Sequence, residues 1–529
     1  MGKNKGKKRR EASSAAETKA DPSQMEEGDE EETVKQPAKL SSTQKADKTE
    51  KHTKPSGGLQ FEDDHEDEFE EEEIINNPKQ DEDDDDDDDE ENERMGAADT
   101  NEEEEVAEDE EAEEKKRRQQ LVKVWRPGVD AIDEGEALDY DSTAYAMLHR
   151  NRLDWPCLSF DILADTLGMH RSKFPHTAYV VAGTQADRAD KNRIFVMKWH
   201  RLHRTNKDDD EEDEEDDVDD DDEATDEEAA LDFRVVSHQG GVNRIRSMKQ
   251  VPALVATWAD TKKVHMWNLK DFIDRLDTPG APLNAKTAPI FTFSGHTDEG
   301  YAMDFNPHKT GRFLSGDNKR MIYLWEPVEG GWDVQKTPYK EHKSSVEDVM
   351  WKRCGDGAGD VFASASADCS VRVWDTRAEE RKSAVQIPHA HPRDVNVLSW
   401  NPSVGELLLT GADDGCFKVW DIRNTSVGPM ANFHWHKEPI TSVDWHPTDQ
   451  ACLVVSAADN TVSIWDMSVE DDTEPGQKLP DGAEYYPPQL LFLHQGQKDI
   501  KEVKFHPQIT SVIISTASDG FNIFKTSNI

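Results

Sequence analysis

One phrase, written three times, constrains this chain more than anything else in it. Val371-Arg372-Val373-Trp374-Asp375, Phe417-Lys418-Val419-Trp420-Asp421 and Val462-Ser463-Ile464-Trp465-Asp466 are versions of one strand ending, with tryptophans 46 and 45 residues apart. Looser copies end at Trp199, Trp267, Trp325 and, with Phe in place of Trp, Phe524, which makes seven. The interior repeats as well. Copies open on a histidine (His238, His296, His342, His391, His436 and, less cleanly, His494). An alternating strand follows, such as Ile440-Thr441-Ser442-Val443-Asp444-Trp445, then a short apolar strand, then a turn carrying Asp368, Asp414, Asp459 or Asp519. Period-two alternation broken by turn residues predicts four short antiparallel strands per unit. Such a unit cannot bury its faces alone. Stacking the units buries them, and closing the stack into a ring removes the exposed edge.

These units resemble WD repeats, and seven of them imply an all-β fold: a seven-bladed WD-repeat β-propeller. In that family the opening His, a strand Ser or Thr, the turn Asp and the closing Trp bond to one another inside each blade. The most complete set here is His436, Ser456, Asp459 and Trp465. The set is read as structural, because a His–Asp pair that recurs blade after blade is not a catalytic site, which would occur once.

Nothing else in the sequence calls for catalysis. There is no G-x-x-x-x-G-K-[ST], H-E-x-x-H or G-x-S-x-G. Gly355, Gly357 and Gly359 precede a strand rather than a helix, so they read as a surface turn and not a phosphate loop. His389, His391 and Asp394 hint at a metal, but His391 already has its blade role. The chain is therefore read as a non-enzymatic platform with no cofactor and no metal. Five cysteines without a C-x-x-C pair point to free thiols in a reducing compartment. No apolar run approaches 18 residues, and the N-terminal Met1–Arg10 stretch is not followed by one, so neither a membrane span nor a secretory signal is expected.

Charge supplies the second constraint. The formal net charge is -50, and two tracts carry nearly all of it. Residues 61–114 hold 33 acids against two bases, and residues 208–228 hold 18 acids and no base. The runs Asp83, Asp84, Asp85, Asp86, Asp87, Asp88, Asp89 and Asp208, Asp209, Asp210, Glu211, Glu212 are their densest parts. Such brushes repel nucleic-acid phosphates and anionic membranes and attract basic proteins. All 14 tryptophans lie from Trp125 onward. Residues 1–110, poor in large apolar groups, are expected to be a disordered tail, basic and then acidic. Lys7, Lys8, Arg9 and Arg10 in that tail read as a nuclear import signal, and Lys115–Arg118 as either a second one or a salt-bridged helix face over Glu108–Trp125. Thr225 with the acids after it is an acidophilic-kinase type site.

The division expected is thus 1–110 tail, 111–154 helical entry segment and 155–529 propeller, with an acidic insert at 208–228. In the entry segment Tyr140 and Asp141 precede a stretch whose Asp141, Tyr145 and Leu148 share a helix face, with Asp141 or Ser142 as cap. This stretch resembles the N-terminal helix of the nuclear histone-binding WD proteins of chromatin assembly complexes. In that group an acidic loop with two prolines clamps a basic helix against the N-terminal helix. Asp471, Asp472, Pro487 and Pro488 match its position, so the resemblance implies that Tyr140, Tyr145, Leu148 and these four residues bind a client.

The non-repeat pieces carry a closer likeness. Pro156–Ile162, Val181–Ala186, the insert, Leu314–Arg320, Ser345–Asp348 and Gln489–Gly496, in this order, resemble the glutamate-rich WD-repeat family, regulators of ribosome biogenesis. The resemblance covers about 120–529. It implies a nuclear and nucleolar chaperone that escorts the basic ribosomal protein L-three to pre-ribosomes alongside pre-ribosomal factors, and histone binding in some relatives. Phe524 departs from the repeat and is expected to weaken the last blade slightly. Two alternatives stand beside this reading. One is a histone chaperone or chromatin adaptor. The other is a ubiquitin-ligase substrate receptor that meets a cullin-ligase adaptor through Trp374-Asp375-Thr376-Arg377 and Trp420-Asp421-Ile422-Arg423.

Overall fold

The computed structural model describes residues 141–206, 228–278, 284–285, 287–470 and 486–528. Their strands form seven antiparallel blades. The innermost strands are Cys157–Ile162, Val242–Met248, Met303–Phe305, Val346–Trp351, Val395–Trp400, Ile440–Trp445 and Glu502–Phe505. Each innermost strand packs on the next and the last packs on the first, so the ring is closed. The first blade gains a short parallel strand, Asn284–Ala285, beside Val235 and Val236. The chain is a seven-bladed propeller.

Apolar packing between blades holds the ring. Trp199, Trp325, Trp374 and Trp465 on the third strands are fully buried, as are Trp351 and Trp400 at the ends of inner strands. Trp400 Nε1 donates to the Met350 carbonyl at 3.1 Å, and Trp445 Nε1 to the Ser399 carbonyl at 3.2 Å, each reaching one blade back. Burying an indole of this size removes a large apolar area, and for Trp400 and Trp445 these contacts also satisfy the N–H, whereas Nε1 of Trp199 and Trp351 is buried without an acceptor among the described residues.

The entry segment is not the helix expected from its spacing. Ser142–Ala144 is one 3-10 turn capped by Asp141, which accepts from Thr143 N–H at 3.0 Å. Tyr145–Asn151 is then a strand, the outermost of the last blade, with Leu148 opposite Phe524 and His149 opposite Ile523. The physical reason is tertiary. The Gly520–Thr526 edge would otherwise be unpaired, and Tyr145, Met147 and Leu148 bury their side chains by covering it. The propeller therefore takes in residues assigned to the entry segment. The helix expected over Glu108–Trp125 lies outside the described residues. Among those described, α-helix is confined to Lys270–Ile273.

Candidate functional site: the acidic mouth of the propeller

The recurring polar sets are structural. His296, His342 and His391 hold Asp317, Asp368 and Asp414 on Nδ1, and meet Ser315, Ser364 and Thr410 on Nε2. The indole N–H of Trp325, Trp374 and Trp420, ten residues further on, donates to the same hydroxyl. Burial lowers the affinity of these histidines for protons, so the rings are neutral. With both its nitrogens engaged, His391 has none left for a metal.

Two sequence expectations about these sets need correction. In the sixth blade His436 Nδ1 meets Asp459 at 3.0 Å, but the shared hydroxyl is Ser463, not Ser456. His436 Nε2 lies 2.8 Å from Ser463 Oγ, and Trp465 Nε1 donates to it at 2.7 Å. Ser456 bonds Thr441 instead, at 2.9 Å. Val455 occupies the position ten residues before Trp465, and Ser463 is its cross-strand partner. The hydroxyl has moved to the facing strand while reaching the same point. In the last blade Asp519 does not hold the histidine. His494 meets Tyr145 Oη at 2.7 Å, and Asn522 Nδ2 donates to its other nitrogen at 3.0 Å.

Along the channel walls the acids are satisfied. Asp161, Asp304, Asp348 and Asp444 each accept a backbone N–H from the next blade's inner strand, from Ser247, Trp351, Leu398 and Phe505. Glu502 closes the ring by accepting from Phe160 N–H at 2.9 Å. Burial alone would raise the Glu502 carboxyl, but Arg246, Lys504 and Arg244 outweigh it and hold it down at about 2. These groups stitch blades together.

The mouth of the channel differs. Five inner strands carry a bulge near their start, which takes Leu158, Asn243, Glu347, Asn396 and Thr441 out of register. A bulge leaves one residue unpaired and re-aims its side chain. Asn243 thereby donates to Glu299 at 3.0 Å, and Asn396 to Asp413 at 2.8 Å and to the Ile440 carbonyl of the next blade at 3.1 Å. Glu347 is the acidic member of this series. Burial raises its carboxyl above the ordinary range, and Asp394 and Asp413 add like charge. Burial also raises Asp394, again with Asp413 contributing. Glu347, Asp394 and Asp413 form no ion pair with Lys or Arg among the described residues. Tyr301 stands beside Glu299 and Glu347 at the same rim, its phenol raised by burial and then by these two acids. Glu347 accepts from the Ser345 hydroxyl and feels Arg244, and Asp394 feels Arg393, but neither arginine forms an ion pair with them, so a cationic partner adds neutralisation that the fold leaves incomplete.

Most of the client-binding residues expected from the sequence are placed elsewhere. Tyr145 (5 % exposed) and Leu148 (7 %) are committed to the closing blade, so the expectation that they grip a client from a helix is corrected. Pro487 and the exposed Pro488 lead into the outer strand of the sixth blade, and Tyr486 before them packs on Trp435 at 5.6 Å. Tyr140, Asp471, Asp472, the runs Asp83–Asp89 and Asp208–Glu212, and Lys7–Arg10 lie outside the described residues. Sequence reasoning missed Glu299 and Asp413, and singled out Asp394 only as a metal candidate beside His389 and His391. The signal available was an acid at or beside the start of successive inner strands, scattered among more than a hundred other acids. The two candidate adaptor motifs share one geometry. Arg377 grips Asp375 and Arg423 grips Asp421, each with contacts of 2.9 and 2.6 Å on the surface.

Comparison with known proteins fits this architecture. Residues 135–203 match a family model described as histone-binding protein RBBP4 or its counterpart in the CAF1 complex, and residues 299–478 match the N-terminal domain of nucleolar protein 10-like proteins. The chain is 46 % identical over 419 residues to glutamate-rich WD repeat-containing protein 1 of Dictyostelium discoideum, covering 77 % of this chain and 85 % of that protein. It is 44 % identical to protein HEAT STRESS TOLERANT DWD 1 of Arabidopsis thaliana, covering 77 % and 92 %. It is 38 % identical to ribosome assembly protein rrb1 of Schizosaccharomyces pombe, covering 76 % and 84 %. The solved WD40 propeller of Doa1 superposes with a TM-score of 0.47 at 16 % identity, covering 72 % of this chain and 96 % of that one. On this extent of identity the chain belongs to the glutamate-rich WD-repeat family.

Proposed function

We propose that this chain is a non-enzymatic ribosome-assembly factor that holds a strongly basic ribosomal protein, L-three of the large subunit, until it is delivered to a pre-ribosome in the nucleus and nucleolus. The observation that carries the reading is the cluster of Glu347, Asp394 and Asp413 beside Glu299, acids that form no ion pair with Lys or Arg among the described residues. Their charge matches a Lys/Arg-rich segment, as does that of the two acidic tracts. One exposed pair contributes little, but many carboxylates acting together concentrate a cationic chain and screen it from aggregation. Grip at the mouth and capture by the tracts then have different salt sensitivities. The name of the fission-yeast relative, ribosome assembly protein rrb1, supports the process.

A second reading, a histone chaperone, is favoured by the histone-binding family model at residues 135–203. Affinity capture of the full chain from nuclear extract at moderate salt separates the two. Recovery of a large-subunit ribosomal protein over core histones is expected, and recovery of core histones alone would replace the first reading with the second.

A further inference from the structure

The segment 163–175 joins the first two strands of the first blade and leans across the ring closure onto the last blade. Arg171 N–H donates to the Gln508 carbonyl at 2.9 Å, Thr510 N–H donates back to the Arg171 carbonyl at 3.0 Å, and Gln508 Nε2 donates to the Asp165 carbonyl at 2.9 Å. The segment frames a pocket of about 460 Å³ whose walls include His170, Arg171, Lys173 and His176.

This pocket has unspent donors. Arg171 gives Nη2 to Asp165 at 2.7 Å and Nη1 to the Thr177 carbonyl at 3.1 Å, but its buried Nε–H meets no acceptor. His176 is 2 % exposed, and its Nε2 has no partner. His506, near enough to feel the charge of Arg171 and His176, accepts on Nδ1 from Gln508 N–H at 3.1 Å and Ile509 N–H at 3.0 Å. That fixes the proton of its neutral ring on Nε2, and this N–H too is without an acceptor. Folded proteins leave few buried donors unused, because each costs about 1–3 kcal/mol. Arg171 and His176 line the pocket and His506 lies close to both, so an acceptor from outside the chain would find polar nitrogens that the fold leaves unpartnered among the described residues.

The charge has the matching sign. Asp165 answers Arg171, but Lys173 and the half-buried Lys525 form no ion pair among the described residues, and Lys525 lies close enough to oppose protonation of His176. Apolar side chains lie at one side: Leu167, on the pocket wall, is 53 % exposed, and Met169, two residues further along the chain, is 59 % exposed. A stacked nucleic-acid base would need an open aromatic face, and the ring at hand, Phe174, is covered by Arg204 at 5.5 Å. An anion flanked by an apolar group fits both features.

We propose that this pocket is a second binding site, taking a carboxylate of an acidic partner peptide while an adjacent apolar side chain packs on Leu167 and Met169. It goes beyond the chaperone reading, since its partner has the opposite charge from the client. The site would let the propeller join an acidic protein at the first blade while a basic one occupies the mouth.

The test uses the full chain and a fluorescent acetylated peptide of alternating glutamate and leucine, read by anisotropy. Binding should saturate, and Lys173→Glu and Leu167→Ser should each weaken it by about tenfold. Both side chains are on the surface, so both variants should fold. Replacing the peptide's glutamates by glutamine should abolish binding. Absence of saturable binding would overturn the proposal, as would binding indifferent to both variants. Binding of a labelled oligouridylate that Lys173→Glu abolishes and the peptide cannot displace would make this an RNA site and overturn it equally.

Discussion

The Tyr145 hydroxyl and His494 Nδ1 share a hydrogen bond of 2.7 Å across 349 residues of sequence, and through it the first described strand locks the last blade. Phe524 stacks on the same imidazole, with ring centroids 4.1 Å apart and planes 14° apart. Tyr145 on Nδ1 and Asn522 on Nε2 satisfy His494 in place of the Asp and the Ser or Thr of other blades. Tyr145→Phe should therefore lower unfolding free energy by about 1–3 kcal/mol, the usual cost of orphaning a buried partner. A urea midpoint equal to that of the parent would show that the bond does not hold the closure.

The sixth blade offers a sharper comparison. Ser463→Ala strands both His436 Nε2 and Trp465 Nε1, whereas Ser456→Ala strands only Thr441. The first should cost about 2–4 kcal/mol and the second about 1 kcal/mol or less. Adding Val455→Thr to Ser463→Ala puts the hydroxyl where the other blades carry it and should recover most of the loss. Denaturant unfolding of the three variants checks this, and a double variant no more stable than Ser463→Ala would refute the cross-strand exchange.

Acid should loosen the ring before the carboxylates titrate. Burial holds His494 and His506 down at about 3, and His176 at about 4, so the folded rings stay neutral while unfolded ones take protons near 6.5. A depressed folded value means stability is fully present above about 6.5 and is lost as pH falls toward 3–4, on the order of 1 kcal/mol per pH unit for each ring. Asp444, raised by burial to about 6, works against them below that pH, as do Glu347, Asp348 and Asp394, also raised by burial, while His265 at about 4 and the lowered His238, His296, His342 and His391 add to the histidine side. The urea midpoint should drop between pH 7 and 5. A flat or rising midpoint would mean that the histidines are not buried as described.

Much of this is legible in the sequence, and the failures have physical causes. The repeating Trp374, Trp420 and Trp465 declare blades because each must be buried with a partner for its N–H, and the spacing follows. The looser ending at Phe524 also reads correctly, as a last blade. Tyr145 misleads because Asp141, Tyr145 and Leu148 suit a helix face as well as a strand, and the edge that decides between them lies almost 380 residues later. Ser456 and Ser463 lie on opposite faces of neighbouring strands, and only the pairing of Val455 with Ser463 shows which serine reaches His436. Glu347, Asp394 and Asp413 are hidden for another reason: their meaning lies in lacking a direct ion pair, and a missing partner leaves no mark in a sequence. The same holds for the unused donors of Arg171, His176 and His506.

The claim that the mouth grips a basic client is tested most directly by measuring the affinity of the full chain for purified ribosomal protein L-three as a function of salt. The comparison is the parent against Glu347→Gln/Asp394→Asn/Asp413→Asn, a variant that removes the charge and keeps a carbonyl acceptor of similar shape at each site. Relief of repulsion should leave this variant at least as stable as the parent, so any loss is one of binding. The account predicts affinity at 0.3 M salt reduced by about tenfold or more, with capture at low salt by the acidic tracts largely retained. Unchanged affinity at both salt concentrations would contradict it.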